Sequence, residues 1–453
     1  MAIVVSGFET SETDSALNLK PRFVALVETH AWSWQTVSFA ENQIDNFVRK
    51  NYGDDAKLEK TDESAGKFFI WTANDGRQTF AFVAGSLIYF GNDRAGLEKC
   101  LAVKKAAGES LAKNESFKRA YTENNLAFGY VSAEAVKQIA DLAGVSAAVN
   151  ASEAAEERNF IARVVPQILR NTTGEIVWTA NRAPGGIEDK FSVGLNAETA
   201  SVLNEILSER ANASADLKVF LPADVFSATQ YNLKNPLLAW RGLLLLTAKN
   251  TDVLSGKILM QFSDKLLEPY GVADAETFLQ AIDAPILTAQ LDANGEQSVS
   301  AAVVKDAAKL RKSLSEEINF KLAPEKLSGA EVWFSSDKKL AAAFVENFLI
   351  LGDGESVLKC LAAKTGGQKS SNNSAFQKFA ASSAVASTFG RDVDAAEKTV
   401  RALATIRDEN RRLATFYATE TRFTAKGFER TTVSDFGVIG TILENTADQN
   451  RQR

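Results

Sequence analysis

The sequence predicts an α+β protein built from two homologous repeats, each a mainly antiparallel sheet with helices packed on it. Three observations predict it. One phrase is written twice: GNDRAGLEKCL from Gly91 to Leu101, and GDGESVLKCL from Gly352 to Leu361. Short alternating segments meet at turns bearing Gly or Asn, the mark of hairpins. Helical patterns sit among the strands without the regular strand–helix–strand alternation of a doubly wound sheet.

The duplication extends well beyond the quoted phrase. Asp93 and Cys100 match Asp353 and Cys360 at one constant offset. KNESFKRA echoes NNSAFQKFA, which pairs Phe117 with Phe376. Upstream, FAFVAGSLIYFG parallels AAFVENFLILG, and a preceding KFFIWT or AEVWFS completes a three-stranded meander. Downstream, the hairpin GEIVWTANRAPGGIEDKFSVGL parallels LATFYATETRFTAKGFERTTVSDFG, each with Gly at its turn. The period is half the chain, far beyond the roughly 20–50 residues of a solenoid repeat. The expected organisation is a first repeat over 1–215 and a second over 216–453.

Each element has a local reason. A strand (RFVALVE) opens the first copy, and a helix follows it with Trp34, Val37, Ile44, Phe47 and Val48 on one face. After the meander, Leu97, Cys100 and Leu101, like Val357, Cys360 and Leu361, fall at the spacing of a buried helical stripe. Asp93 and Asp353 stand where an N-cap belongs. The second half opens with additional sequence. LKVFLPADVFSATQYNL reads as a turn and a strand, helical segments run to Tyr270, ADAETFLQAID is a short helix, and PILTAQLD is a strand. The first half matches only from about Leu17. Its repeat is therefore expected to lack its N-terminal strand and helices. Either the first copy lost that portion or the chain starts inside a longer gene; the second is favoured, because a half-domain without its first strand exposes a sheet edge, and the Met1 segment or a partner is the expected cover.

Composition narrows the function. The 453 residues are 45% hydrophobic and 24% charged, with a net charge of −6, so nothing marks a nucleic-acid partner. Two cysteines make no disulfide framework, and a single histidine leaves a zinc site without ligands. The most apolar stretch, PLLAWRGLLLL, is short of the roughly 20 residues of a membrane span and is broken by Arg241, so it reads as a buried helix.

The candidate sites are few. His30, with Trp32 and Trp34 in ETHAWSW, is either a general base beside an aromatic binding face or a strand-to-helix junction with core or interface tryptophans. Cys100 and Cys360 read as small buried hydrophobes. The acidic runs ASEAAEER and GDDAKLEKTDE lack the oxygen-ligand spacing of a calcium loop. GNDRAG and GDGES carry acidic residues that would repel phosphate. Arg401, Arg407, Arg411 and Arg412 alternate with Asp408 and Glu409, as on a charged exposed helix. No catalytic, metal or cofactor set emerges.

The LPAD opening, the FVENFLILGDGESV corner and the later NSAF phrase resemble an uncharacterised bacterial family. The resemblance covers most of Leu217 to Ala402 and, more weakly, Arg22 to Ala140. It implies tandem α+β modules outside the cytoplasm, often tethered by an N-terminal membrane segment or lipid, and it brings no catalytic residues. The expectation is a non-enzymatic extracytoplasmic binding or scaffold protein. Its partner is another protein or an apolar small molecule. The alternatives are a carrier holding an apolar ligand between sheet and helices, and an enzyme using His30.

Overall fold

A computed structural model of the chain describes residues 1–13, 16–106, 108–151, 155–208, 216–318, 320, 322–366, 373–392 and 415–442. The chain is α+β. Among the described residues the strands form two antiparallel sheets, of six and thirteen strands. The basic segment containing Arg401 to Arg412 lies outside the described residues, as does part of ASEAAEER.

The chain divides into two compact units, Met1–Lys118 and Arg119–Arg453. The first contains β1 (Ala2–Thr13), β2 (Ala16–Glu28), α1 (Ser33–Phe39), α2 (Asp45–Tyr52), β3 (Lys57–Glu63), β4 (Gly66–Thr72), β5 (Gln78–Ala84), β6 (Leu87–Gly91) and α3 (Arg94–Lys104). Its sheet order is β1-β2-β6-β5-β4-β3. Strand alternation splits the apolar side chains between two faces. Phe68, Phe80, Phe82 and Tyr89 pack with Leu97 of α3. Phe69, Trp71, Ala81 and Val83 pack with Ala40, Ile44 and Val48. A π turn, Ala40–Ile44, joins α1 to α2. Its wider turn alters the helical phase. Ile44 and Val48 are buried, whereas Trp34 and Phe47, expected on the same face, are 70% and 58% exposed.

Next come α4 (Glu115–Ala120), β7 (Ala127–Val131), α5 (Ala133–Ala151), α6 (Ala155–Thr172), β8 (Thr173–Ala183), β9 (Gly186–Leu195) and α7 (Ala197–Ile206). They are followed by β10 (Ser227–Tyr231), α8 (Pro236–Lys249), α9 (Val253–Gln261), α10 (Ala275–Ala281), β11 (Ile282–Gln290), β12 (Ser298–Val304) and α11 (Ala307–Ser313). The meander is β13 (Glu325–Leu327), β14 (Ala330–Phe334), β15 (Leu340–Val345) and β16 (Phe348–Asp353). The chain continues through α12 (Gly354–Gly366), α13 (Ser374–Ala381), β17 (Ala386–Asp392), β18 (Thr415–Thr424) and β19 (Gly427–Ser434). The large sheet runs β13-β14-β15-β16-β12-β11-β10-β17-β18-β19-β9-β8-β7. One face packs with Val357, Cys360 and Leu361 of α12, and the other with Phe278 of α10 and Leu310 of α11.

The same strand order occurs twice: β2-β6-β5-β4-β3 in one sheet and β12-β16-β15-β14-β13 in the other. The doubled phrase has a steric basis in both. A Cβ on Gly91 would lie 2.0 Å from the Phe23 carbonyl oxygen, and one on Gly352 would lie 2.4 Å from that of Ser298. Asp353 caps α12, its carboxylate accepting from the Ser356 N–H at 2.8 Å. Asp93 stands at the matching place before α3 and accepts from the Ser6 hydroxyl. Asn114 accepts from the Phe117 N–H and Asn373 from that of Phe376, so the two phenylalanines begin their helices alike.

Two findings differ from the sequence reading. β1 pairs with β2 as β11 pairs with β12, so a strand is present upstream of Leu17 where the alignment finds none. Its residues, AIVVSGFET, share too little with PILTAQLD to align. The compact units also part at Lys118, not near residue 216. The reason is a seam: β19 pairs antiparallel with β9, from Gly427 opposite Gly194 to Ser434 opposite Ile187. This pairing draws the last third of the first half into the large sheet.

Candidate functional site

The segment between residues 217 and 281 covers part of one sheet face and borders a half-open cavity of about 570 Å³. Its helices are set by their caps. Asn235 accepts from the Leu238 N–H at 3.0 Å and Pro236 takes the first helical position, so α8 begins sharply. Asp252 opens α9 by accepting from the Ser255 N–H at 3.0 Å and its hydroxyl at 2.6 Å. Asp274 opens α10 through Thr277. Arg241 of α8 grips Glu276 of α10 with two hydrogen bonds, at 2.9 and 2.5 Å. That bond holds the Glu276 carboxyl below its ordinary range.

PLLAWRGLLLL is thus a helix, but it is buried on one side only: Ala239 and Leu244 are buried while Leu238 and Leu245 face water. Ala239, Trp240 and Leu243 line the roof of the cavity, and Phe278 and Leu279 of α10 extend it. The floor is the sheet, with Ile286 and Thr288 on β11 and Ser300 and Ala302 on β12. β17 and β18 contribute Ala386 and Phe423 to the wall.

The polar lining consists of hydroxyls: Tyr231, Tyr270, Thr288, Ser300 and Thr421. Among the described residues no charged side chain lines the cavity. Tyr231 is hydrogen-bonded to Thr288, and burial, then the neighbouring Tyr270, pushes its phenol pKa up. It therefore stays a neutral phenol at physiological pH. The Trp240 indole Nε1 is buried with no hydrogen-bond partner. Pairing carries hydroxyls across the sheet in one row, Ser300, Thr288, Thr229, Thr388, Thr419 and Thr432. Two links are direct, Thr229 to Thr388 at 3.0 Å and Thr419 to Thr432 at 2.9 Å.

The residues singled out from sequence lie elsewhere. His30 is exposed in the first unit, between β2 and α1, and Trp32 and Trp34 are 74% and 70% exposed. The junction is as expected, but neither tryptophan is in a core. Cys360 is buried, and burial pushes its thiol up to about 12. Cys100 is half-buried, its thiol raised by burial and then by the Asp93 charge. Among the described residues no group of three or more His, Cys, Asp or Glu side chains could hold a metal ion. No described helix is long and apolar enough to cross a membrane.

Fold and cavity define an α+β protein with an apolar chamber whose polar points are neutral hydroxyls. No protein-family model, no curated protein and no solved structure matches the chain.

Proposed function

We propose that the protein is a non-enzymatic binding protein that holds a neutral, mainly apolar small molecule in the chamber between α8, α10 and the large sheet. One observation carries the reading: about 570 Å³ lined by apolar side chains and hydroxyls, a volume within the range of small-molecule sites. Apolar burial supplies the affinity. Tyr231, Thr288 and Ser300 give one uncharged hydrogen-bonding group of the ligand a place to settle. A carboxylate or phosphate ligand finds no cation in this lining and would lose its hydration without return.

Nothing in the chamber supports chemistry, since it offers neither an ionisable acid–base pair nor an activated nucleophile. Part of the proposal is the setting that the resemblance implies, outside the cytoplasm. Recovery of the native protein with the cytosol after cell fractionation would remove that part alone.

The test uses N-phenyl-1-naphthylamine, a neutral apolar fluorophore. Saturable blue-shifted binding at one site per chain is expected, abolished in Ala239→Trp, which fills the roof. Absence of saturation, or equal binding by the filled variant, would defeat the proposal.

A further inference from the structure

The two exposed tryptophans of ETHAWSW belong to a larger face of the first unit. From residue 36 to 48 the buried positions recur at every fourth residue, Thr36, Ala40, Ile44 and Val48. At about 3.6 residues per turn such a stripe would wind around the helix, and the π turn at Ala40–Ile44 offsets the drift. Two outward rows therefore run side by side. Trp34, Ser38, Asn42 and Asn46 form one, all exposed. Gln35, Phe39, Gln43 and Phe47 form the other, also exposed. Trp32 and Ser33 lead into them. Trp32, Trp34, Phe39 and Phe47 are each more than half exposed.

None of these positions is charged, in a chain of which 24% is. The charges of the segment stand on a different flank and already have partners. Glu41 pairs with Lys60 at 3.0 Å and Lys67 at 3.2 Å, and Asp45 with Arg49 at 2.8 Å and the Trp71 indole N–H at 2.7 Å. The face is also held in place. The Thr36 hydroxyl donates to the Gly85 carbonyl at 2.6 Å, which pins the start of α1 to the turn between β5 and β6. The Gln35 side chain accepts from the Trp32 N–H at 2.9 Å. Asn42 donates its amide to the Ser38 carbonyl at 2.8 Å, while the side-chain amides of Gln43 and Asn46 make no hydrogen bond among the described residues.

A sugar ring has the complementary chemistry. Its C–H groups meet the negative face of an indole, and the hydroxyls around its rim bond amides without needing a charge. A helix lying in a bilayer instead separates an apolar face from one rich in Lys and Arg. Here each row mixes aromatics with amides or hydroxyls, so insertion would bury unpaired polar groups. A protein of ordinary composition would bring charges that this face has nothing to pair with. We infer that the outer face of α1 and α2 binds an extended, neutral saccharide chain, its rings stacked on Trp32 and Trp34 and its hydroxyls bonded to Gln43 and Asn46. Phe39 and Phe47 lengthen the platform, and side chains already held in position lower the ordering cost of binding. The inference is independent of the chamber's ligand.

The probes are cellohexaose and chitohexaose, titrated into the full chain by isothermal titration calorimetry. Saturable binding of at least one of them, at one site per chain, is expected. It should weaken by roughly tenfold or more in a chain carrying Trp32→Ala and Trp34→Ala, and by a smaller factor with Gln43→Ala and Asn46→Ala. All four positions are exposed, so the circular dichroism and melting of both variants should match the parent, and N-phenyl-1-naphthylamine should bind them as it binds the parent. No saturable heat with either saccharide, equal binding by the tryptophan variant, or an affinity that collapses with added salt overturns the inference. So does binding to phosphatidylcholine vesicles but to neither saccharide, because a bilayer then holds the face. A chain that sediments alone as a dimer and is dissociated by the two tryptophan substitutions overturns it as well, because a second copy then does.

Discussion

At the residue scale, the matched cysteines have diverged in burial while keeping their place on equivalent helices. Cys360 is buried in the same core cluster as Leu361 and Phe376, whereas Cys100 is only half-buried. An unfolded thiol titrates near about 8.5, and the Cys360 thiol is held up to about 12. The unfolded chain therefore loses this proton first. The stability associated with the neutral thiol is complete below the unfolded value and falls as pH rises from there toward 12. Iodoacetamide should label Cys100 in the native protein and Cys360 only on unfolding, as peptide mass mapping would show. Cys360→Ser should cost about 1–3 kcal/mol in urea titration, because it buries an unpaired hydroxyl, and Cys100→Ser should cost less. Matched apolar spacing made the burial of Cys360 legible in the sequence. The exposure of Trp32 and Trp34 was not legible, since an indole beside a helix start reads the same whether it faces a core or water.

At the element scale, the β9–β19 seam is the pairing on which the large sheet turns. Gly427 has φ +148°, and a Cβ there would lie 1.9 Å from the Val193 carbonyl oxygen across the seam. Gly427→Ala should destabilise the second unit by roughly 1–3 kcal/mol, through strain and overpacking. The same change at Gly76, which has open space around it, costs only its backbone strain. Urea unfolding of the two variants separates the effects. Both hairpins were readable from their turn glycines and alternation, because those signals are local. Their edge-to-edge pairing joins residues far apart in sequence and leaves no local mark. The π turn was hidden similarly, because a stripe counted at about 3.6 residues per turn carries no mark of one wider turn, and Phe47 lies at the margin of the packed face, edge-on to Phe90.

At the scale of the whole molecule, duplication and compactness follow different boundaries. The repeat marks at Gly91 and Gly352 reflect a steric need that recurs in each copy, so they survive in the sequence. The chamber has no such mark. It arises where Ala239 and Trp240 of α8, Ile286 of β11 and Ser300 of β12 fail to fill the space between them. LPAD and the helices after it could be placed from sequence, yet their failure to meet the sheet could not. The covered corner of the second unit is a consequence of the segment between residues 217 and 281.

The seam also sets how the protein could be divided. A polypeptide restricted to residues 216–453 keeps α8, α10 and the chamber but strips β9 from β19, leaving eight residues of unsatisfied ladder from Gly427 to Ser434. That fragment should self-associate as its concentration rises, and adding residues 119–215 in trans should suppress the association, both measurable by sedimentation velocity. Within the intact chain the covalent tether keeps the matching strand always close at hand, so solubility itself depends on the two halves never being parted.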